Sequence, residues 1–513
     1  MKRQVFIMVF CCLLAINMQA QTTDTLSIQS RDSLTLSDIS TPRKKSYWRA
    51  AGEVVGLNIG LWAFDRFALK GHYAYISWET IKANFKNGFE WDNDHLNTNL
   101  FAHPYNGSLY FNAGRSNGFN FWQSELFAIG GSAMWEMFME KEYPSTNDII
   151  ATPIGGAALG EVFYRTSDML LDDRTSGGER FGRELAAFVI SPMRGFTRIV
   201  TGQAWKKQSV PGRDFGKPDY SLKFSVGTRM LTFHDDRNMV KMGATARLDF
   251  EYGDRFVSSN RPYDYFTFQM DLNLLETQPV LNRIEIIGRL LSKEMLNTSK
   301  INLSVGLYQH FDFFDSDTIS TNYVSGDFKP CAVPYKLGTP ASVGGGALFR
   351  YAPTDKNTLT AFVHANGVIL GGILSDYYRY YHRNYNWASG FAIKLGIDYS
   401  FNDKLLVSLR NQFYKFYTWS SWDSSDDWSL TPGGKPVNVQ GDNSIGKFNH
   451  LEGQINYRLW KNLYVGAGID WYHRITEYGT YKYFDYGGTT VGMSSYFITS
   501  HQLSCQLKLT YKL

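Results

Sequence analysis

VKMGATARLDFE, residues 240–251, alternates between apolar and polar side chains. Val240, Met242, Ala244, Ala246, Leu248 and Phe250 fall on one side, and Lys241, Gly243, Thr245, Arg247, Asp249 and Glu251 on the other. A period of two sends successive side chains to opposite faces of an extended strand, so this stretch has one apolar and one polar face. The pattern returns at Leu463, Val465, Ala467, Ile469 and Trp471, and again at Leu503, Cys505, Leu507, Leu509, Tyr511 and Leu513. About twelve such segments follow residue 219, near 220, 240, 264, 281, 300, 340, 358, 389, 404, 446, 462 and 497.

Their connections alternate in length. Tight turns at Asn402-Asp403 and residues 460–462 alternate with long loops around Thr318, Tyr380, Asp426 and Tyr483, and the long loops follow odd strands. A membrane barrel with both termini in the periplasm and long outer loops has that rhythm, whereas a soluble sandwich shares only the alternation. Residues 219–513 are therefore read as an antiparallel transmembrane β-barrel of about twelve strands, in a mainly β chain with an N-terminal α-helical domain.

Composition agrees. Aromatic residues make up 16% of the 513 and charged residues only 19%. Tyr-rich sequence of modest hydropathy suits a barrel with aromatic girdles and a polar interior, and no clean apolar run of about 20 residues offers a helical span. Residues 1–20 have a basic start at Lys2 and Arg3, a short apolar run and Met18-Gln19-Ala20 as a cleavage site, the features of a secretory signal peptide. Residues 21–45 are Ser/Thr/Asp-rich and read as a disordered linker. Of four cysteines, Cys331 and Cys505 remain beyond the leader, too few and too far apart for a disulfide framework or a thiol metal site. The formal charge of +4 falls to about +2 without Lys2 and Arg3, which with export excludes a nucleic-acid partner.

Residues 46–205 are read as the helical domain, a plug or periplasmic cap for the barrel. WRAAGEVVGLNIGLWAFDRF, residues 48–67, has a mostly apolar helical pattern interrupted by Glu53 and Asp65. EWDNDHLNTN, residues 90–99, reads as a hydrogen-bonded polar turn, since the Gly and closing Glu of a calcium-binding hand are missing. His103 precedes Pro104 and is expected on a loop, with a turn at Asn106-Gly107. Residues 121–141 form a helix on which Ser132, Glu136 and Glu140 recur every fourth residue. Ser145 and Asp148 fit a capping box, and Thr152-Pro153 marks either a second helix start or a kink. Gly155, Gly156 and Gly160 allow close helix packing, and Glu161 can pair with Arg165 one turn on. Residues 180–202 are expected to form a last helix ending at Ser191-Pro192, followed by a basic loop carrying Arg194 and Arg198. The barrel loop SDYYRYYHRNYNW, residues 375–387, interleaves tyrosine with Arg379, His382 and Arg383, which reads as ordinary aromatic packing before it reads as a lipid or sugar site.

His103, Glu136, Glu140, Asp148 and Glu161 are the candidates for acid, base or ligand chemistry, because buried ionisable groups need compensation. The competing assignment makes them structural ties: Glu136 or Glu140 to Arg115 or His103, Glu161 to Arg165, with Ser132, Ser145 and Thr152 completing a polar network. The ties are preferred. No G-x-S-x-G, H-E-x-x-H or Gly-rich phosphate loop occurs, and no metal or cofactor is expected.

His103-Pro104, Gly107, Tyr110, Arg115, Trp135-Glu136, Pro144-Ser145, Asp148, Thr152, Gly155-Gly156 and Gly160-Glu161 together resemble the signature of a domain-of-unknown-function family of exported outer-membrane proteins from Gram-negative bacteria. The resemblance covers residues 48–202. It implies an outer-envelope location and supplies no activity. The expectation is thus an integral outer-membrane protein with an envelope interaction or structural role, the helical domain and both termini being periplasmic and the partners being outer-membrane lipid, lipopolysaccharide or envelope proteins. A lipid-directed enzyme and a gated channel are the alternatives.

Overall fold

The computed structural model describes residues 44–233, 240–276, 278–317, 333, 335–376, 378, 382–422, 438–479, 481–484, 490–493 and 496–513. The expected signal peptide, nearly all of the expected linker, Cys331, Arg379 and the loop centres at Thr318, Tyr380 and Asp426 lie outside them. The chain divides into two compact units. One comprises the described residues up to Phe89 together with His103–Asp219, and the other Glu90–Ala102 together with Tyr220–Leu513.

The first unit is helical: α1 (Tyr47–Ala63), α2 (Trp78–Asn87), α3 (His103–Ser116), α4 (Phe121–Phe138), α5 (Asp148–Leu170), α6 (Gly177–Ile190) and α7 (Pro192–Val200). Asn120 starts α4 with a reciprocal cap, its side chain accepting from the Gln123 amide while Gln123 accepts from the Asn120 amide. Three expectations need correction. His103 is not on a loop but helical: α3 directly continues the π-helical turn Thr98–Ala102, so Pro104 lies in a helical run and its missing N–H falls at the junction between the two hydrogen-bond spacings. Asn106 and Gly107 lie inside that helix rather than in a turn. Arg194 and Arg198 do not sit on a basic loop: Pro192 opens α7, and both arginines are buried on it. The Thr152-Pro153 ambiguity resolves into one continuous α5, with Pro153 in its second turn.

The glycines set how closely these helices approach. A Cβ on Gly107 would overlap the Thr152 carbonyl oxygen, and one on Gly156 would meet the Gly107 backbone, so α3 and α5 touch backbone to backbone. Gly160 accepts the Phe111 ring in the same way.

The second unit is a closed antiparallel barrel of twelve strands: β1 (Tyr220–Phe233), β2 (Val240–Tyr252), β3 (Phe266–Leu274), β4 (Leu281–Asn297), β5 (Ile301–Phe314), β6 (Leu337–Thr354), β7 (Asn357–Leu374), β8 (Tyr385–Phe401), β9 (Leu405–Tyr417), β10 (Ser444–Trp460), β11 (Leu463–Tyr478) and β12 (Tyr496–Lys512). Each strand pairs with its sequence neighbours, and β1 closes on β12 from Lys223 opposite Lys512 to Phe233 opposite Gln502. Asn402 and Asp403 turn β8 into β9 with φ of 51° and 52°, a left-handed conformation that Asn and Asp tolerate. On β8, Phe391, Ile393, Leu395, Ile397, Tyr399 and Phe401 face outward and are exposed, while Ala392, Lys394 and Gly396 are buried inside. Tyr351, Tyr399, Phe401, Tyr457 and Tyr511 are exposed near the tight-turn ends of their strands, the position of an interfacial girdle.

Gly107→Ala is expected to cost about 1–3 kcal/mol by overpacking the α3–α5 crossing. Thermal melts followed by helical circular dichroism should show an earlier helical transition, with the barrel's heat-modifiable mobility on gels unchanged.

Candidate functional site

The helical unit gathers its ionisable residues at the starts and crossings of α3, α4 and α5. His103 opens α3, Asp148 opens α5, and Glu136 lies two residues before the end of α4. One donor atom from each of the three lies within 4.8 Å of the others. His103 Nε2 is 3.8 Å from Asp148 Oδ2, and the Asn147 side-chain amide donates to Asp148 Oδ1 at 2.9 Å. The Ser145 backbone N–H donates to Glu136 Oε2 at 2.7 Å, and the Ser145 hydroxyl accepts from the Asp148 N–H at 3.3 Å. Ser132 Oγ donates to the Asp148 carbonyl, tying α4 to the first turn of α5. Glu136 and Asp148 are 3% and 2% exposed, so little solvent screens the cluster.

The other candidates go elsewhere. Glu161 is buried between two guanidinium groups, Arg115 binding it bidentately at 2.7 and 2.9 Å and Arg165 at 2.8 Å. Arg115 thus serves Glu161, not Glu136 or Glu140. Glu140 accepts from Trp135 Nε1 at 2.6 Å near the edge of the unit. Beneath Glu136, burial together with the nearby charges of Glu136 and Glu140 pushes the Tyr110 phenol well above its usual pKa.

Further arginine ties hold the remaining helices. Arg194 on α7 pairs with Asp168 of α5 and donates to the Tyr164 carbonyl at 2.8 Å. Arg198 reaches Asp173 at 2.6 Å and Glu184 at 2.7 Å. Glu53 of α1 accepts from Asn117 at 2.7 Å and from Thr197 at 2.9 Å. Glu125 differs from these: its Oε2 is buried without a hydrogen-bond partner, and burial raises its carboxyl to about 8.

The barrel unit holds a second polar constellation that alternation located on the inward face without revealing its pairing. Glu452 on β10 receives Arg247 from β2 and, at 3.2 Å, Arg283 from β4. Arg283 also pairs with Asp271 at 2.7 Å, Lys394 pairs with Asp312, and Gln412 donates to Glu285 at 2.9 Å. Arg283 and Asp271 are cross-strand neighbours, whereas the other pairs join strands that are not adjacent in the ring, so those contacts run across the lumen. Towards the long-loop end, Phe314, Tyr335, Tyr414, Phe448 and Tyr472 pack as a buried aromatic layer. On the tight-turn side a cavity of about 190 Å³ remains, lined by Lys223, Asp249, Asp398, Arg410 and Lys512 among others.

Glu90–Ala102 docks at the long-loop end. Asn99 donates to the Tyr385 hydroxyl at 2.8 Å, Arg383 donates to the Asp92 carbonyl at 3.1 Å, and the His382 N–H donates to the Asn93 carbonyl. His95 stacks on His382 with ring centroids 4.3 Å apart, Phe101 meets Phe313, and Leu100 fills the space above Gly338 and Gly372. Only its first part, up to His95, is the polar turn expected from sequence, while residues 96–102 are helical; its partners lie more than 200 residues away, and no local spacing announces them.

Residues 88–193 match the model of a domain of unknown function (DUF3943), a stretch containing all five candidate residues. Comparison with curated proteins finds no match. Similar solved structures include the Pseudomonas putida toluene transporter TodX, 10% identical with a TM-score of 0.21, covering 57% of this chain and 88% of that one. The KdgM porin in complex with disordered oligogalacturonate is 11% identical with a TM-score of 0.22, covering 57% and 98%. Vibrio cholerae OmpT in its trimer form is 7% identical with a TM-score of 0.21, covering 58% and 99%. The barrel itself is recognised from its own hydrogen-bonded ring.

The raised Glu125 carboxyl makes a signed prediction. An unfolded Glu125 ionises near 4.5 and the folded one near 8, so the folded protein holds the extra proton between those values. Stability of the helical unit should be fullest below 4.5 and fall as pH rises through about 8, and Glu125→Gln should flatten that slope in melts at pH 5, 7 and 9.

Proposed function

We propose that this protein is an integral outer-membrane barrel closed to free diffusion, with an envelope structural or interaction role in which the barrel anchors the helical unit. The observation that carries the reading is the filled lumen. Arg247 and Arg283 meet Glu452 across the ring, and the aromatic layer with Tyr335, Tyr414 and Tyr472 stands above them. Solvating ions could not pass such a section without displacing side chains that hold one another by charge-assisted hydrogen bonds. Outer-membrane lipid is the partner of the apolar outer face. Envelope proteins and lipopolysaccharide are the partner classes for surfaces beyond it.

A gated channel is the second reading, and Glu90–Ala102 favours it. This segment closes the long-loop end through contacts separate from the barrel's own backbone ladder, so it can leave without opening the ring. The two readings differ in planar bilayers. A closed anchor adds no steady conductance as the wild-type protein and still none after Tyr385→Phe, whereas a gated channel shows brief openings that become more frequent when that change removes the Asn99 bond. Steady ohmic current from the wild type would overturn the anchor reading.

Sidedness is open to a direct check. On this reading the tight turns and Leu513 face the periplasm, and exposed Asn97 lies at the outer mouth. Asn97→Cys, in a background with Cys331 and Cys505 replaced by serine, should react with a membrane-impermeant maleimide on intact cells. Labelling only after permeabilisation would reverse the orientation.

A further inference from the structure

We propose that His103, Glu136 and Asp148 bind one divalent first-row transition-metal ion that clamps α3, α4 and α5 together. The three donors, an imidazole nitrogen and two carboxylate oxygens, are a set that suits Zn2+, Mn2+ or Fe2+. Two ligands each about 2.1 Å from a common ion stand no more than about 4.2 Å apart. The 3.8 Å between His103 Nε2 and Asp148 Oδ2 already meets that limit, and the whole set lies within 4.8 Å, so small side-chain rotations complete the geometry.

The surroundings fit a ligand role. Each carboxylate is oriented by a donor from its own neighbourhood, Glu136 by the Ser145 N–H and Asp148 by the Asn147 amide, as carboxylate ligands commonly are. Thr152, 3% exposed and one helical turn beyond Asp148 on the same face, has a buried hydroxyl oxygen without a hydrogen-bond partner. It is a further oxygen donor within one turn of the cluster.

A second trio in the same chain shows what a similar donor set looks like when arginine does the neutralising. His450, Glu452 and Asp470 also bring their donors within 4.8 Å of one another. There Glu452 is engaged by Arg247 and Arg283, Asp470 accepts from Gln506 at 2.9 Å, and His450 is 3.0 Å from Asp470. In the helical unit the neighbouring arginines are committed elsewhere, Arg115 and Arg165 to Glu161, and Arg194 to Asp168. Two buried carboxylates converge on one imidazole within 4.8 Å, a concentration of negative charge that a divalent cation offsets.

The test uses the full-length protein in detergent, stripped with chelator and dialysed against Zn2+ or Mn2+, with bound metal counted by mass spectrometry. About one ion per chain is expected, with affinity reduced at least about tenfold in His103→Ala, Glu136→Gln and Asp148→Asn, and unchanged in Glu140→Gln. Helical circular dichroism confirms that each variant is folded. Should the buried carboxylate variants not fold, the partly exposed His103→Ala and the visible ligand-field spectrum of the Co2+-loaded wild type decide. Uptake by wild type no greater than by His103→Ala, or a Co2+ spectrum of the hydrated ion alone, would overturn the proposal.

Discussion

Closure of β1 on β12 is the constraint on which the barrel depends. In hydrocarbon no water pairs with an open strand edge, so each backbone donor and acceptor must find its partner within the wall. The register from Lys223 opposite Lys512 to Phe233 opposite Gln502 joins the last edge to the first. Once the ring is shut, alternation leaves no freedom: every second residue faces lipid and the others face one another across the lumen. Phe391, Ile393 and Leu395 can be apolar only because Ala392, Lys394 and Gly396 take the inside. A one-residue slip would put Lys394 into lipid, at a cost of about 2–4 kcal/mol near the bilayer midplane.

The same closure makes the lumen a place where charge must be matched across strands distant in sequence. Glu452 sits on β10 and its arginines on β2 and β4, and these meet because a twelve-stranded ring brings opposite walls within side-chain reach. Wider barrels need an inserted segment to fill their section. Here long polar side chains fill the middle, tyrosine and phenylalanine the layer above, and Glu90–Ala102 the long-loop end. In the inserted stretch the Asp92 carbonyl accepts from both Arg383 and Trp387, and the Asn99 side-chain amide donates to the Tyr385 hydroxyl.

What was legible in the sequence was whatever is set by short-range geometry. Strand alternation, the Asn402-Asp403 turn, and the four-residue spacing of Glu161 and Arg165 are local, and residue type alone expresses them. Partner choice was not. Arg115 lies 46 positions from Glu161, and either Glu136 or Glu161 is an equally good carboxylate until α3 crosses α5 at Gly107 and Gly156. Proline misled for a related reason. At Pro192 it reads as a break, yet in the first turn of a helix it removes a donor that no helix uses; at Pro104 the chain is already helical, and the π-helical turn Thr98–Ala102 leads into α3. Arg194 and Arg198 looked like solvated loop charges because their acids, Asp168, Asp173 and Glu184, belong to elements whose proximity only the fold creates.

Both units meet most of their buried carboxylates with arginine, as at Glu452 in the barrel and at Glu161 and Asp168 among the helices. Arginine reaches far and binds in two places, which suits a lumen whose walls are fixed by backbone pairing and whose width needs long side chains. Arg115 does the same between α3 and α5, reaching Glu161 bidentately. Where α4 and the start of α5 bring Glu136 and Asp148 together, the group that stands beside them is the imidazole of His103, with donor atoms of all three within 4.8 Å. The Ser145 N–H, just before α5, donates to Glu136, and the Asn147 side-chain amide donates to Asp148. Local geometry thus sets the kind of compensation: a long guanidinium where a single carboxylate lies a side chain's length away, as at Glu161, and a compact imidazole where two carboxylates converge, as at Glu136 and Asp148.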